Sequence, residues 1–280
     1  MIRFSKYMWV YFVLSGIVII PGMISLIIWG LRPAVDFTGG TLFEIHFKKE
    51  TTQKSVEDVL KKHAITASGI QNTNGNSFLI RLKPQKNELL VALEQTLTST
   101  DVGAQIVRNE TVGPVLGKEL LQKTFTAAIF AIVAIMSYVA YAFKNIKFGV
   151  SAIMALIHDL LVVLGVFSLL GHFYHVEVDT LFVTAFLTTM SFSVHDTIVV
   201  FDRIRENLRL YAGQPIDFII NHSISQTLVR SLNTSLTVLF VLLAMLLFGG
   251  ETIRYFVLAL FIGVAAGTYS SILNATPIAY

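Results

Sequence analysis

Apolar positions in this chain gather into long runs, separated by short polar links and by one long polar block. A hydrocarbon core about 30 Å thick takes roughly 20 helical residues at about 1.5 Å rise each. Runs of that order occupy residues 9–28, 125–143, 150–170, 181–201, 228–248 and 256–273. The pattern predicts six membrane-crossing helices, with one longer basic connection, 202–227, between the fourth and the fifth. Arg3 and Lys6 precede the first run, as in a signal peptide. That run is too long for a usual signal core and no small-residue cleavage site follows it, so it reads as a retained anchor closed by Gly30 and Pro33.

Residues 35–120 break the pattern. Thr41, Phe43, Ile45 and Phe47 alternate with their neighbours, the period of a half-buried strand. Within 53–63, Val56, Val59 and Leu60 recur at helical spacing. Strand-like pieces follow at 68–71 and 78–82. A second helical stretch, 88–97, sets Leu89, Leu90, Leu93 and Leu97 on one side, and 104–112 closes as a strand. This β-α-β-β-α-β order is the split βαβ, or ferredoxin-like, pattern. The chain therefore reads as a polytopic α-helical membrane protein with six transmembrane helices. A small α+β ferredoxin-like extracytoplasmic domain is inserted between helices 1 and 2. Residues 1–34 hold the N-terminus and helix 1, 35–120 the domain, and 121–280 helices 2–6.

Composition supports the membrane reading. Hydrophobic residues make up 54% of the chain and charged residues 14%, against about 25% charged in a soluble domain. The absence of cysteine excludes disulfides, zinc ribbons and thiol nucleophiles. A net charge of +3 gives no reason to expect nucleic acid. The placement of positive charge says more. Arg3, Lys6, Lys144, Lys147, Arg203, Arg205 and Arg209 fall on one side of a six-span plan, and the opposite short loops hold only Arg254. By the positive-inside rule the N-terminus is cytoplasmic and residues 35–120 are extracytoplasmic.

Two carboxylates fall inside apolar runs. Asp159 lies near the middle of the third, and Asp196 lies toward the cytoplasmic end of the fourth. A charged group at bilayer depth costs about 2.5–3.5 kcal/mol or more, so such residues face the bundle interior and find partners. Arg230, at the start of the fifth run, falls at a depth similar to that of Asp196. Asn233, Thr234 and Thr237 share the face of Arg230, while Thr189 and Ser193 share that of Asp196. Two readings follow: a proton relay in which protonating Asp196 breaks its pair with Arg230, or a fixed ion pair that holds helices in register. Arg230 also fits a snorkelling position at the cytoplasmic interface. His158 either satisfies Asp159 or shares a relay with it. His195, beside Asp196, is either a second proton carrier or a core or interface histidine. Gly263 and Gly267 in the last run have the spacing that lets helices pack closely.

Other clusters carry less. His172, His175, Glu177 and Asp179 suit a metal by type, but their spacing matches no strong signature and a solvated loop accounts for them. Residues 113–119 fail as a phosphate-binding loop: the glycine spacing is one residue short and Glu119 stands where Ser or Thr belongs. No nucleophile–base motif stands out, so no enzyme is expected.

Several segments resemble known elements. They are Asp36-Phe37-Thr38-Gly39-Gly40-Thr41, Val112-Gly113-Pro114 with Gly117 and Glu119-Leu120, and the His158-Asp159 pair. Asp196 to Asn207, Gln226-Thr227-Leu228, Arg230-Ser231 and Thr234 to Thr237 complete the set. Together they resemble the SecD/SecF family of bacterial protein-export membrane proteins, in the RND superfamily, over nearly the whole chain. The resemblance implies an RND-type six-helix half in the inner membrane, paired with SecD about a pseudo-two-fold axis. It implies work beside the SecYEG translocon on a preprotein substrate, in contact with membrane lipid, with inward proton flow as the energy source and no cofactor. It ties the positions of Asp196 and Arg230 to proton transport, and that of Thr234 less firmly. His195 departs from the family's usual Asn. Two other classes stand beside this one, a small-molecule RND-type exporter half and a non-conducting scaffold of the translocon. Drug exporters of that type carry two large extramembrane insertions per chain, where this sequence has one.

Overall fold

The computed structural model describes residues 8–48, 50–62, 65, 67–72, 76–85, 87–99, 104–142 and 146–279. Arg3, Lys6, His63 and Lys144 lie outside them. In chain order the elements are α1 (Met8–Ile28), α2 (Val35–Thr38), β1 (Gly40–Phe47), α3 (Gln53–Lys62), β2 (Ala67–Asn72), β3 (Ser77–Leu82), α4 (Asn87–Ser99), β4 (Ala104–Val112), α5 (Pro114–Ala142), α6 (Ile146–Tyr174), α7 (Thr180–Leu210), α8 (Ile216–Phe248), α9 (Glu251–Leu273) and α10 (Ala275–Ala279). They divide into two units, Pro33–Thr126 and the remainder.

In the first unit the alternation at 41–47 becomes β1, with Thr41, Phe43, Ile45 and Phe47 all buried. The four-stranded sheet has the order β2-β3-β1-β4 and every pairing is antiparallel. β1 and β2, joined through α3, are thus separated by β3, which is the expected split βαβ arrangement. Val56 and Leu60 from α3, and Leu90 and Leu93 from α4, close the core against Phe43, Ile45, Phe78, Ile80 and Leu82. Leu89 departs from the expected face. The inner stripe of α4 runs through Leu90 and Leu93, which leaves Leu89 39% exposed at its margin.

Two glycine motifs interlock in this unit. Gly39 has φ +73, and a Cβ there would lie 2.6 Å from Cα of Pro114. A Cβ on Gly117 would lie 2.8 Å from the Gly39 nitrogen. Only glycine lets these two backbones meet, and at Gly39 only glycine takes the φ without strain. Residues 113–119 therefore serve as a packing surface for the turn at 36–41.

Among the described residues, six helices are long and apolar enough to cross a membrane: α1, α5, α6, α7, α8 and α9. The central three are α6, α7 and α9, each burying 44% of its apolar window, against 17% for α1 and α8 and 6% for α5. The structure differs from expectation at 202–227. α7 continues to Leu210 and α8 begins at Ile216, so most of the basic connection is helix and the link is a turn carrying Gly213 at φ +97. Charged residues hid the helical period there, but Val200, Ile204, Ile220 and Ile224 continue the core beneath them. Asn207 Nδ2 donates to Ser223 Oγ and to Gln226 Oε1, both at 2.8 Å, and pins the two extensions together.

Small residues set the helix crossings. A Cβ on Gly165 of α6 would lie 2.7 Å from Cα of Gly22 in α1. One turn further on, Ser25 and Ser168 share a hydrogen bond of 2.7 Å, and Ser168 donates to the Gly30 carbonyl at 2.7 Å. On the other side of the centre, a Cβ on Gly263 of α9 would run into the Thr189 side chain of α7. A Cβ on Gly267 would stand 3.1 Å from Cα of Ser193.

Two outcomes test this packing. Gly165→Ala should lower the apparent Tm of the purified protein, while Gly16→Ala, whose new methyl meets only Ile20 at 3.7 Å, should leave it unchanged. Gly39→Ala should cost about 1–3 kcal/mol from backbone strain alone, read by denaturant unfolding. Equal behaviour of the two alanine variants at 16 and 165 would remove the case for a tight α1–α6 crossing.

Candidate proton-binding site

Asp196 sits past the midpoint of α7 on the face that also carries Thr189 and Ser193, and all three are buried. Its Oδ2 accepts one hydrogen bond, from Ser235 Oγ of α8 at 3.2 Å. A cavity of about 270 Å³ opens beside it, with His195, Thr234, Ser235 and Thr268 among its polar lining and Phe192, Val238 and Val264 among its apolar lining. At roughly 30 Å³ per water molecule, that volume admits a short water chain. Asp196 is thus a carboxylate with one protein donor among the described residues, beside a cavity with room for several waters.

Arg230 is not its partner. It is exposed, no ion pair joins it to Asp196, and Asp196 meets α8 at Ser235, five residues further along. Asn233, Thr234 and Thr237 lie with Arg230 on the exposed side of α8. Thr234 Oγ1 donates to the Arg230 carbonyl at 3.0 Å, and Thr237 Oγ1 to the Asn233 carbonyl at 2.7 Å. The inward face of α8 is a different stripe, Ser223, Thr227, Ser231 and Ser235, all buried at a spacing of four. That spacing was visible in the sequence. The charged and amide residues next to it drew the expectation to the outer stripe. His195 is exposed on the cavity wall.

Asp159, 4% exposed on α6, is served far better. Its Oδ2 accepts from Ser193 of α7 at 2.5 Å and from Ser270 of α9 at 2.7 Å. Its Oδ1 lies 2.9 Å from His158 Nδ1. His158 Nε2 in turn lies 3.0 Å from Ser15 of α1, which also receives Asn274 Nδ2 at 2.8 Å. The sequence pattern did not single out Ser15, a lone hydroxyl in an apolar run, or Tyr269 and Ser270, which stand in the hydroxyl run 268–271. Ser193 lies three residues before Asp196, so the two carboxylates are linked through about one turn of α7.

The loop cluster resolves into separate structural duties. His172 stacks on Trp29, with ring centroids 3.7 Å apart. His175 Nδ1 lies 2.8 Å from Arg32, Glu177 pairs with Arg32 at 3.6 Å, and Asp179 caps α7 by accepting from Phe182 N at 2.7 Å.

The family model for the C-terminal region of protein export membrane protein SecD/SecF matches residues 92–280, and the SecD/SecF GG motif matches residues 24–51. The chain belongs to the SecD/SecF family. The protein translocase subunit SecF of Thermobaculum terrenum is 43% identical over 99% of this chain and 92% of its own length. That of Anaerolinea thermophila is 39% identical over 96% and 90%. The crystal structure of SecDF, a translocon-associated membrane protein from Thermus thermophilus, matches with a TM-score of 0.89 and 33% identity. The match covers 99% of this chain and 38% of that longer one. The residues matched by the GG motif include Gly39 and Gly40, and the first of them is where the interlock described above excludes a side chain.

Ser193→Ala removes a donor from a buried carboxylate and should destabilise the protein by about 1–3 kcal/mol. Thr188→Ala, an exposed hydroxyl bonded only to its own helix at 2.7 Å, should change stability by less than about 0.5 kcal/mol. Denaturant melts of the two variants give the comparison.

Proposed function

We propose that this chain is a SecF-type auxiliary subunit of the Sec protein translocase that works with SecD and uses the proton gradient to promote late export of preproteins. Asp196 carries the reading. It is buried between helices, holds a single protein hydrogen bond among the described residues and borders a cavity with room for several waters. Protonated, it can rest in an apolar bundle. Ionised, it draws on Ser235 and on whatever water occupies the cavity, so each proton gained or lost changes what the surrounding helices must supply.

The outer stripe of α8 supports a SecD partner. Arg230, Asn233, Thr234 and Thr237 are exposed within a membrane span, and hydrocarbon is a costly neighbour for such groups. A second half covering that stripe brings its own groups against the wall that holds Thr234, at the edge of the Asp196 cavity. Asp159 joins the relay through Ser193. In this reading the N-terminus is cytoplasmic, residues 35–120 are extracytoplasmic, and SecYEG and the preprotein are met on that arrangement.

Export of a reporter preprotein into inverted vesicles, with and without a proton gradient, tests the coupling. Asp196→Asn should abolish the gradient-dependent part of export while SecD association persists. Full gradient dependence in that variant would reduce Asp196 to a structural role. The chain has no native cysteine, so Asn233→Cys carries a unique thiol-linked photo-cross-linker. It should yield an adduct with SecD, and an adduct with lipid alone would rule out a covered stripe.

A further inference from the structure

The hydrogen bonds around His158 fix how many protons it shares with Asp159. Tyr269 donates its hydroxyl proton to the Tyr11 carbonyl at 2.7 Å. Its oxygen therefore accepts from Ser15 Oγ, at 3.3 Å. That commits the single proton of Ser15, whose oxygen is left with acceptor positions only. One of them takes Asn274 Nδ2 at 2.8 Å. The other faces His158 Nε2 at 3.0 Å, so Nε2 carries a proton. On the other side, His158 Nδ1 and Asp159 Oδ1 stand 2.9 Å apart. Two bare lone pairs would repel at that distance, so a proton lies between them as well. The pair holds two protons and is neutral overall, whether the shared one rests on nitrogen or on oxygen.

Remove one proton and a single arrangement keeps every buried group paired. Nδ1–H stays with the Asp159 carboxylate, Nε2 becomes an acceptor, and Ser15 must swing its hydroxyl away from Tyr269 to donate to it. The bond given up is the longest of the set. The groups that face the pair from its neighbours are Ser15 of α1, Ser193 of α7, Ser270 and Tyr269 of α9, and Asn274 at the end of α9. Of these only Tyr269 is titratable, and none carries a charge, so no fixed charge among them locks the pair in one state.

We propose that His158 and Asp159 together hold an exchangeable proton at a second site, apart from Asp196, and that its loss turns the Ser15 hydroxyl from Tyr269 to His158. The site ties α1 to the three central helices, so its proton count decides how α1 and α9 are bonded. The inference extends the proton-driven reading above, but its test does not pass through export.

Protein carrying nitrogen-15 histidine, in lipid nanodiscs, is titrated across the whole pH range in which it stays folded. The His158 signals are those lost in His158→Gln. If that variant does not fold, Ser15→Ala identifies them by displacing them, since it keeps both titratable groups. With rising pH, the expected change is conversion of Nε2 alone from a protonated to a bare nitrogen. Ser15→Ala should shift the midpoint by at least threefold in proton affinity, and the transition should persist in Asp196→Asn. An Nε2 whose protonation never changes across the range, a midpoint indifferent to Ser15, or a transition that vanishes with Asp196 overturns the proposal.

Discussion

A carboxylate inside a helical bundle has no solvent to satisfy it, so the neighbouring helices must bring donors to it. Asp159 shows how far this demand organises the membrane unit. Its donors come from α7 and α9, and through His158 its network reaches Ser15 on α1. For Ser270 to reach it, α9 must lie close against both α6 and α7, which Gly267 permits: a side chain there would start 3.5 Å from Asp159 Oδ2 and 3.1 Å from Cα of Ser193. The close packing and the polar interior are therefore one requirement, met by small residues on one helix and hydroxyls on the next.

The two buried aspartates divide the work of such a bundle. Asp159 is enclosed, bonded to α7 and α9 and paired with His158, so the helices it holds together feel the proton count proposed above. Asp196 has one hydroxyl donor and a cavity at its side. A carboxylate with unfilled acceptor capacity needs water or a partner chain to complete its shell when it ionises. Ser193, which contacts Asp159 and stands one turn from Asp196, lets a change at either carboxylate be felt along a single stretch of α7.

Much of this was legible in the sequence. Long apolar runs and the strand period at 41–47 foretold the six helices and the inserted sheet, because both depend only on local periodicity. The buried positions of Asp159 and Asp196 followed from their depth in those runs. The partners did not. Arg230 stood at the right depth, but depth leaves the rotation of a helix open, and α8 turns its serine stripe inward and its arginine outward. Ser15 and Tyr269 lie 254 residues apart, and no short-range pattern joins them. The helical extensions at 202–227 were obscured because charged residues on their outer faces diluted the apolar period.

The glycines of the membrane unit differ in what sequence drift can do to them. At Gly263 the obstacle to a larger residue is the Thr189 side chain, so an accompanying change to glycine at 189 would make room. At Gly22 and Gly165 the obstacle is the opposing main chain itself. No second substitution can clear a peptide backbone out of the way. An enlargement at either position can be accommodated only by moving a whole helix, and the Ser25–Ser168 bond one turn away resists that. The α1–α6 crossing is therefore closed to compensatory change, whereas the α7–α9 contact can be renegotiated at the Gly263–Thr189 pair but meets main chain again where Gly267 faces Ser193.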